Sequence, residues 1–390
     1  MPAITTFELF WIFLKLGLTS FGGPVAHLGY FRVEFVEKRQ WLDERSYADL
    51  VALCQFLPGP SSSQVGMGIG LLQKGLRGAL AAWVGFTLPS ALLLLAFALC
   101  LTHFPHLLPS GALHGLKIVA VAVVAQAVWS MGKSLCPDKT RIALMLVASM
   151  ISLGVGGVYG QLSAIALGAC VGLLGYRAHP IAQASPLTVR LSKASGVFWL
   201  CAFAFLLLLL PLFTEPLVAL ANGFYRAGAL IFGGGHVMLP LLQAETVATG
   251  WVDNDVFLAG YGAAQAVPGP LISFAAFLGA QSNLPIHPLV AALVCVTAIC
   301  LPAFCLIAGA LPFWESIRQK PLAQAALCGV NASVVGLLLA ALYQPVWVSA
   351  IFSFKDVALA GAAWLCLVKL KMPPWLLVVA CALVGALLGF

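Results

Sequence analysis

A proline–glycine–proline interruption that occurs twice in an apolar chain constrains this fold more than any other feature. Residues 55–63 read QFLPGPSSS and residues 265–273 read QAVPGPLIS, 210 positions later, with Gln, Pro, Gly, Pro and a final Ser in the same places. Each proline removes a backbone donor and pushes the preceding residue out of helical geometry. Hydrocarbon offers no water to replace the lost bond. Irregular backbone therefore survives at membrane depth only where protein buries it or where it lines a wet cavity.

The surroundings of both interruptions are hydrocarbon-like. The 390-residue chain is 62% hydrophobic and 8% charged, and runs such as 196–213 and 375–390 approach or reach the length that spans a bilayer. These runs are continuously apolar rather than alternating, which excludes a β-barrel. The sequence predicts an all-α polytopic membrane protein. The first apolar run contains Lys15 and no basic stretch precedes it, so no cleavable leader is expected. The 11 cysteines fall singly, with neither a C-x-x-C pair nor zinc spacing. No metal site, cofactor or catalytic residue is expected. Walker, H-E-x-x-H and G-x-S-x-G motifs are absent, so the expectation is a transporter and not an enzyme. The net charge of +7 reads as membrane topology, and no nucleic-acid partner is expected.

The duplication reaches beyond the interruptions. Phe21-Gly-Gly23 recurs as Phe232-Gly-Gly234, and Trp41-Leu-Asp43 as Trp251-Val-Asp253. Pro89 matches Pro302 after a three-residue insertion, and Gly115 matches Gly329. The expected division is 1–177 for a first repeat, 178–216 for a polar linker plus one connecting transmembrane helix, and 217–390 for a second repeat. One extra crossing between duplicated units turns the second upside down.

Each repeat reads as two interrupted re-entrant hairpins followed by four spans: 78–102, 112–133, 140–158 and 161–177, then 288–312, 322–343, 355–370 and 374–390. On that threading all 20 Lys and Arg are cytoplasmic except Lys355 outside and Lys15, Lys117 and Arg226 within the membrane. A parallel second repeat would place Arg318, Lys320, Lys369 and Lys371 outside, against the positive-inside rule. Inverted repeats are therefore expected, with a cytoplasmic N-terminus and a periplasmic C-terminus. The parity depends on helices 7–22 and 216–232 not crossing fully.

The breaks also carry the candidate site. Pro60 suits the first turn of a new helix, leaving the N–H groups of Ser61, Ser62 and Ser63 without intrahelical acceptors at a positive helix end. Such an end binds anions, and interrupted helices commonly hold transporter substrates. Ser273 stands in the matching place of the second half. Gly59 and Gly269 permit close backbone approach, as do Gly22 with Gly23 and Gly233 with Gly234 in the glycine breaks. Gln55 and Gln265 are matched amides beside the interruptions.

Lys15 and Arg226 each lie six residues before the Phe of a glycine break, and a cation within the membrane is costly unless paired or hydrated. Together these residues describe a seat for an oxyanion. His27 and His236, which follow the glycine breaks, are candidates for proton coupling. The plainer alternatives are packing kinks at the breaks and snorkelling of the two cations.

The segments FGGPVAHLGYFR (21–32) and QFLPGPSSSQ (55–64), echoed by FGGGHVMLPLL (232–242) and QAVPGPLISF (265–274), resemble the chromate transporter family in its two-domain form. The resemblance covers nearly the whole chain. It implies a bacterial inner-membrane secondary transporter that exports chromate from the cytoplasm and so confers resistance. The family's motif positions fall on Phe21, Gly22, Gly23, Pro24, Gln55, Pro58, Gly59, Pro60, Gly233, Gly234, Gln265, Pro268, Gly269 and Pro270. The second half departs at Gly235, where the first has Pro24, and at Leu271 and Ile272, where the first has serines. An asymmetric site follows.

Chromate and sulfate are tetrahedral dianions of similar size, which backbone donors separate poorly. The residues themselves thus reach an oxyanion, and leave chromate or sulfate, and transporter or anion channel, open. The partners expected are that anion and the lipid bilayer. A homodimer is compatible with the sequence but not required by it.

Overall fold

The computed structural model describes residues 4–104, 109–175, 191–232, 235–314 and 320–388. The first half runs α1 (Thr6–Thr19), α2 (Gly23–Arg32, continued by a π-helical turn Val33–Lys38), α3 (Glu44–Phe56), α4 (Ser61–His103), α5 (Ser110–Leu135), α6 (Lys139–Val155) and α7 (Gly157–Gly175). After α8 (Lys193–Leu209) the second half runs α9 (Pro216–Ala229), α10 (Met238–Thr246), α11 (Asn254–Ala264), α12 (Phe274–Ala280) and α13 (Pro288–Ala310). It ends with α14 (Pro321–Ala341), α15 (Phe354–Val368) and α16 (Pro374–Leu388).

Local chemistry sets several helix starts. Thr5 and Glu8 form a capping box, Asp43 accepts from the Ser46 N–H at 2.7 Å to open α3, and Asp253 accepts from the Asp255 N–H at 2.8 Å to open α11. The matched Trp-x-Asp segments thus begin equivalent helices.

Among the described residues, 6 helical segments are long and apolar enough to cross a membrane: Ser61–His103, Gly111–Leu135, Gly157–Gly175, Lys193–Leu212, Pro288–Phe313 and Gln324–Ala350. The chain is a multi-pass membrane protein. Three of the expected spans are shorter. Helices α6, α15 and α16 have 17, 15 and 15 residues, under the roughly 20 that cross hydrocarbon perpendicularly. The α6–α7 junction is cut by Gly156 and Gly157 at φ 68° and 55°, and the α15–α16 junction by Lys371 at φ 52°.

Helix α4 is a hairpin in disguise. Lys74 and Gly75 leave helical geometry inside it, and a Cβ on Gly70 would lie 2.3 Å from the carbonyl oxygen of Gly78. Eight residues of continuous helix would separate these positions by about 12 Å. The limb that follows the first interruption therefore folds back, and the second limb begins the span. In the second half the same reversal is spread over the open segment between α12 and α13, which absorbs the three-residue insertion.

The halves are interlocked rather than side by side. Helix α5 packs on α15 and α16 of the other half, and α14 packs on α6 and α7. The close approaches are reciprocal. A Cβ on Gly17 would meet the Phe86 carbonyl oxygen at 2.6 Å, and one on Gly228 would meet that of Ile299 at 2.1 Å. Likewise a Cβ on Gly115 would overlap the Cys381 carbonyl oxygen, and one on Gly329 that of Gly168. Each pair maps onto the other through the internal repeat. The largest buried core draws side chains from both halves, among them Val121, Val124, Phe224, Tyr261, Phe274 and Val334.

Candidate functional site

The two proline breaks are each braced on the opposite half, beside its glycine break. Helix α1 ends at Thr19, and Gly22 and Gly23 follow at φ 98° and 78°, a left-handed bend open to glycine. Helix α3 ends at Phe56, and Gly59 (φ 131°) separates it from α4; Gly269 (φ 96°) does the same between α11 and the turn that leads into α12. The Gly59 N–H donates to the Ile231 carbonyl at 2.6 Å, and the Gly269 N–H donates to the Ser20 carbonyl at 2.8 Å. Ile231 and Ser20 are equivalent residues, each one before the Phe of a glycine break. Every interruption thus satisfies its backbone on the opposite half, as irregular backbone at membrane depth must.

The N–H groups of Gly59 and Gly269 are consumed inside the protein and are not free for an anion. Ser273 is likewise committed, its hydroxyl lying 2.6 Å from that of Ser90, which also bonds the Thr87 carbonyl at 3.0 Å. Ser61 is half-buried and Ser62 and Ser63 are buried at the start of α4. The Gln64 amide closes over that helix start, donating to the Pro58 carbonyl at 2.8 Å. Gln55 is exposed on α3.

The two cations do not converge. Arg226 is taken up by Glu245, with Nε on Oε1 at 2.7 Å and Nη2 on Oε2 at 2.6 Å, and Glu245 is only 4% exposed. Lys15 lines a groove of about 840 Å³ between α1 and α2, shared with Glu34, Lys38 and Arg39. His27 is buried edge-on against Phe86, ring centroids 5.3 Å apart. Gly233 and Gly234 lie outside the described residues.

What the fold does bring together is a polar cavity of about 240 Å³ between the halves. Gly22 and Gly23 of the first glycine break form one wall, and Gln265 and Gly269 of the second proline break form another. His236, Gln126 on α5 and Lys371 at the α15–α16 junction complete the polar lining. His236 is oriented: Nδ1 lies 3.0 Å from the Tyr261 hydroxyl, and Nε2 faces Gly23, 3.8 Å from where a Cβ would stand. The Gln265 amide nitrogen is buried, makes no short hydrogen bond among the described residues, and interacts with the Tyr261 hydroxyl.

A cation, an amide side chain, an imidazole and two glycines that let a ligand reach the backbone suit a small oxyanion. Lys371 was hidden in the sequence among the loop charges that set topology. Gln126 was visible as the lone polar residue in VAVAVVAQAVW (119–129) but had no counterpart in the second half, where Ala340 stands.

The geometry agrees with relationships in sequence. The family model described as "Chromate transporter" matches residues 7–176 and again 218–386. The chromate transport protein of Pseudomonas aeruginosa is 31% identical over 349 residues, covering 86% of this chain and 80% of that protein. The chromate transport protein of Cupriavidus metallidurans is 27% identical over 353 residues, covering 86% and 82%. An uncharacterized transporter of Bacillus subtilis, YwrA, is 27% identical over 175 residues, which is 44% of this chain but 96% of its own length. No solved structure matches the chain.

Proposed function

Because this chain belongs to the chromate transporter family, we propose that it is a secondary transporter moving chromate or a like tetrahedral dianion across the membrane, with the anion lodged in the cavity between the halves. The observation that carries this reading is the convergence of Gln265 and Lys371 on one cavity, where two breaks from opposite halves meet. Lys371 supplies the counter-charge, Gln265 and Gln126 supply neutral donors, and the backbone of Gly22 and Gly23 closes one side. His236 presents Nε2 to the cavity and is the group placed to exchange a proton with the anion. Lys15, Arg226, Gln55 and the serines of α4 act outside this seat.

Export follows from topology and potential. The two repeats are inverted, as the reciprocal packing of α5 and α14 and the distribution of positive charge support. The α15–α16 junction is then cytoplasmic, so the cavity takes its anion from the cytoplasm. An inside-negative potential favours outward movement by about 2.3 kcal/mol per charge per 100 mV, and twice that for a dianion. Export of chromate from the cytoplasm across a bacterial inner membrane would confer resistance. A general sulfate and oxyanion transporter is the second reading, favoured because the described residues lining the cavity offer both tetrahedral dianions the same cation and amides.

Calorimetric titration of the purified protein with chromate and with sulfate tests the seat. Lys371→Gln is expected to weaken chromate binding roughly thirtyfold, the loss of a charge-assisted contact of about 2 kcal/mol. Gln265→Leu is expected to weaken it about tenfold or less. Unchanged affinity in both variants would remove the anion from this cavity. Equal affinities of the wild-type protein for chromate and sulfate would establish the general-dianion reading.

A further inference from the structure

The internal register assigns Arg226 and Lys15 an equivalent partner each. In the first half the Trp41 and Leu42 N–H groups both donate to the Phe35 carbonyl, at 2.8 and 3.4 Å. In the second, the Trp251 and Val252 N–H groups both donate to the Thr246 carbonyl, at 2.9 and 3.1 Å. Phe35 is therefore equivalent to Thr246, and Glu34 to Glu245. Each half carries a cation on its first helix and a carboxylate on its second, 19 residues apart.

The two copies are in opposite states. Arg226 and Glu245 are closed, bidentate and largely buried. Lys15 has no ion pair among the described residues, and Glu34 is held instead by Arg39 at 2.7 Å and Lys38 at 3.6 Å. Lys15 and Glu34 nevertheless line the same groove, so closure has Glu34 exchange one cation for another. Glu34 sits on the π-helical turn Val33–Lys38, and rewinding such a turn to α geometry re-aims its side chains.

We propose that Lys15–Glu34 and Arg226–Glu245 are two copies of one gate that close in alternation, the structure showing the state in which the second-half gate is shut. This rests on the transport reading: in a protein of two equivalent interlocked halves, exchanging the two arrangements produces the oppositely facing state, and a substrate shifts the balance by its differential affinity. The resting asymmetry has a physical cause. A Cβ on Gly223 would lie 3.2 Å from Glu245 Oε2, and the equivalent residue of the first half is Ile12. Ile12 stands where the Glu34 carboxylate must go, which disfavours the closed first-half gate.

The test uses the full chain in everted vesicles, with Lys15 acylation and Arg226 modification by phenylglyoxal both read by mass spectrometry. Ile12→Gly is expected to lower Lys15 labelling and raise Arg226 labelling, each by about threefold or more, through one shift of the two-state balance. Ile12→Ala is expected to move both in the same directions by less. Adding Glu34→Gln to either variant returns Lys15 to full reactivity. Labelling at Arg226 that stays fixed while Lys15 changes, or no change at either, overturns the alternation.

Charge exchange gives an independent reading. Glu34→Lys is expected to cut chromate transport at least about tenfold, and Lys15→Glu in the same chain to restore most of it. Rescue by Arg39→Glu but not by Lys15→Glu would confine Glu34 to its surface ion pairs and overturn the gate. Anticorrelated labelling in a chain that moves no chromate would uphold the gate and count against the substrate alone.

Discussion

Gly59→Ala and Gly269→Ala are each expected to destabilise the protein by about 3–4 kcal/mol, the largest loss from any single methyl addition outside the helix crossings. Both glycines hold backbone conformations that L-residues rarely adopt, at φ 131° and 96°. Both would also bring a Cβ against close neighbours. At Gly59 it meets the Gln64 amide nitrogen at 2.6 Å and Ala303 Cβ at 3.0 Å; at Gly269 it meets Ser90 Oγ at 3.0 Å and the Gly17 carbonyl at 3.1 Å. Relieving those contacts displaces the N–H that braces the other half, leaving the Ile231 or Ser20 carbonyl unpaired at membrane depth. Gly250 provides the control. It has φ 76° but open space around it, so Gly250→Ala should cost only about 1 kcal/mol for the backbone conformation. Equilibrium unfolding in mixed micelles measures all three. Equal costs at Gly59, Gly269 and Gly250 would mean that the cross-brace contributes nothing beyond local geometry.

Arg226→Gln is the second large effect, at about 3–5 kcal/mol of destabilisation, because it strands the Glu245 carboxylate in a site where that residue is 4% exposed. The equivalent change in the other half, Lys15→Gln, should cost under about 0.5 kcal/mol, since Lys15 is exposed and has no ion pair among the described residues. Two residues that the repeat makes equivalent are thus expected to differ severalfold in stability effect. The double variant Arg226→Gln/Glu245→Gln should recover much of the loss, since it removes both charges rather than one. Parallel melts of the three variants decide this. A small effect of Arg226→Gln, with Glu245 left alone, would show that the pair is solvated rather than buried.

The sequence made the breaks legible because proline and glycine act locally. The order of the four interruptions, the matched caps at Asp43 and Asp253, and the reversal after the first interruption all follow from residues close in the chain. Where the bonds of those breaks end could not be read the same way. The acceptors Ser20 and Ile231 lie in the opposite half, and nothing about a serine or an isoleucine marks it as an acceptor. The same distance hid the ion pair. Glu34 and Glu245 sit on the second helix of each half, in register only through a one-residue offset before the Trp-x-Asp segments. Lys371 was visible only as one of several loop charges, because its place in the cavity depends on α16 packing against α5. Local chemistry was therefore written in the sequence, and the contents of the site were decided by how the halves interlock.

The most direct test of the central claim is chromate uptake into everted vesicles with the membrane potential clamped, comparing the wild-type chain with Lys371→Gln and Lys371→Arg. The account predicts potential-dependent chromate accumulation by the wild-type chain, a loss of at least about tenfold with Gln, and substantial retention with Arg. Full uptake by Lys371→Gln, or no chromate movement by the wild-type chain at either potential, would contradict it.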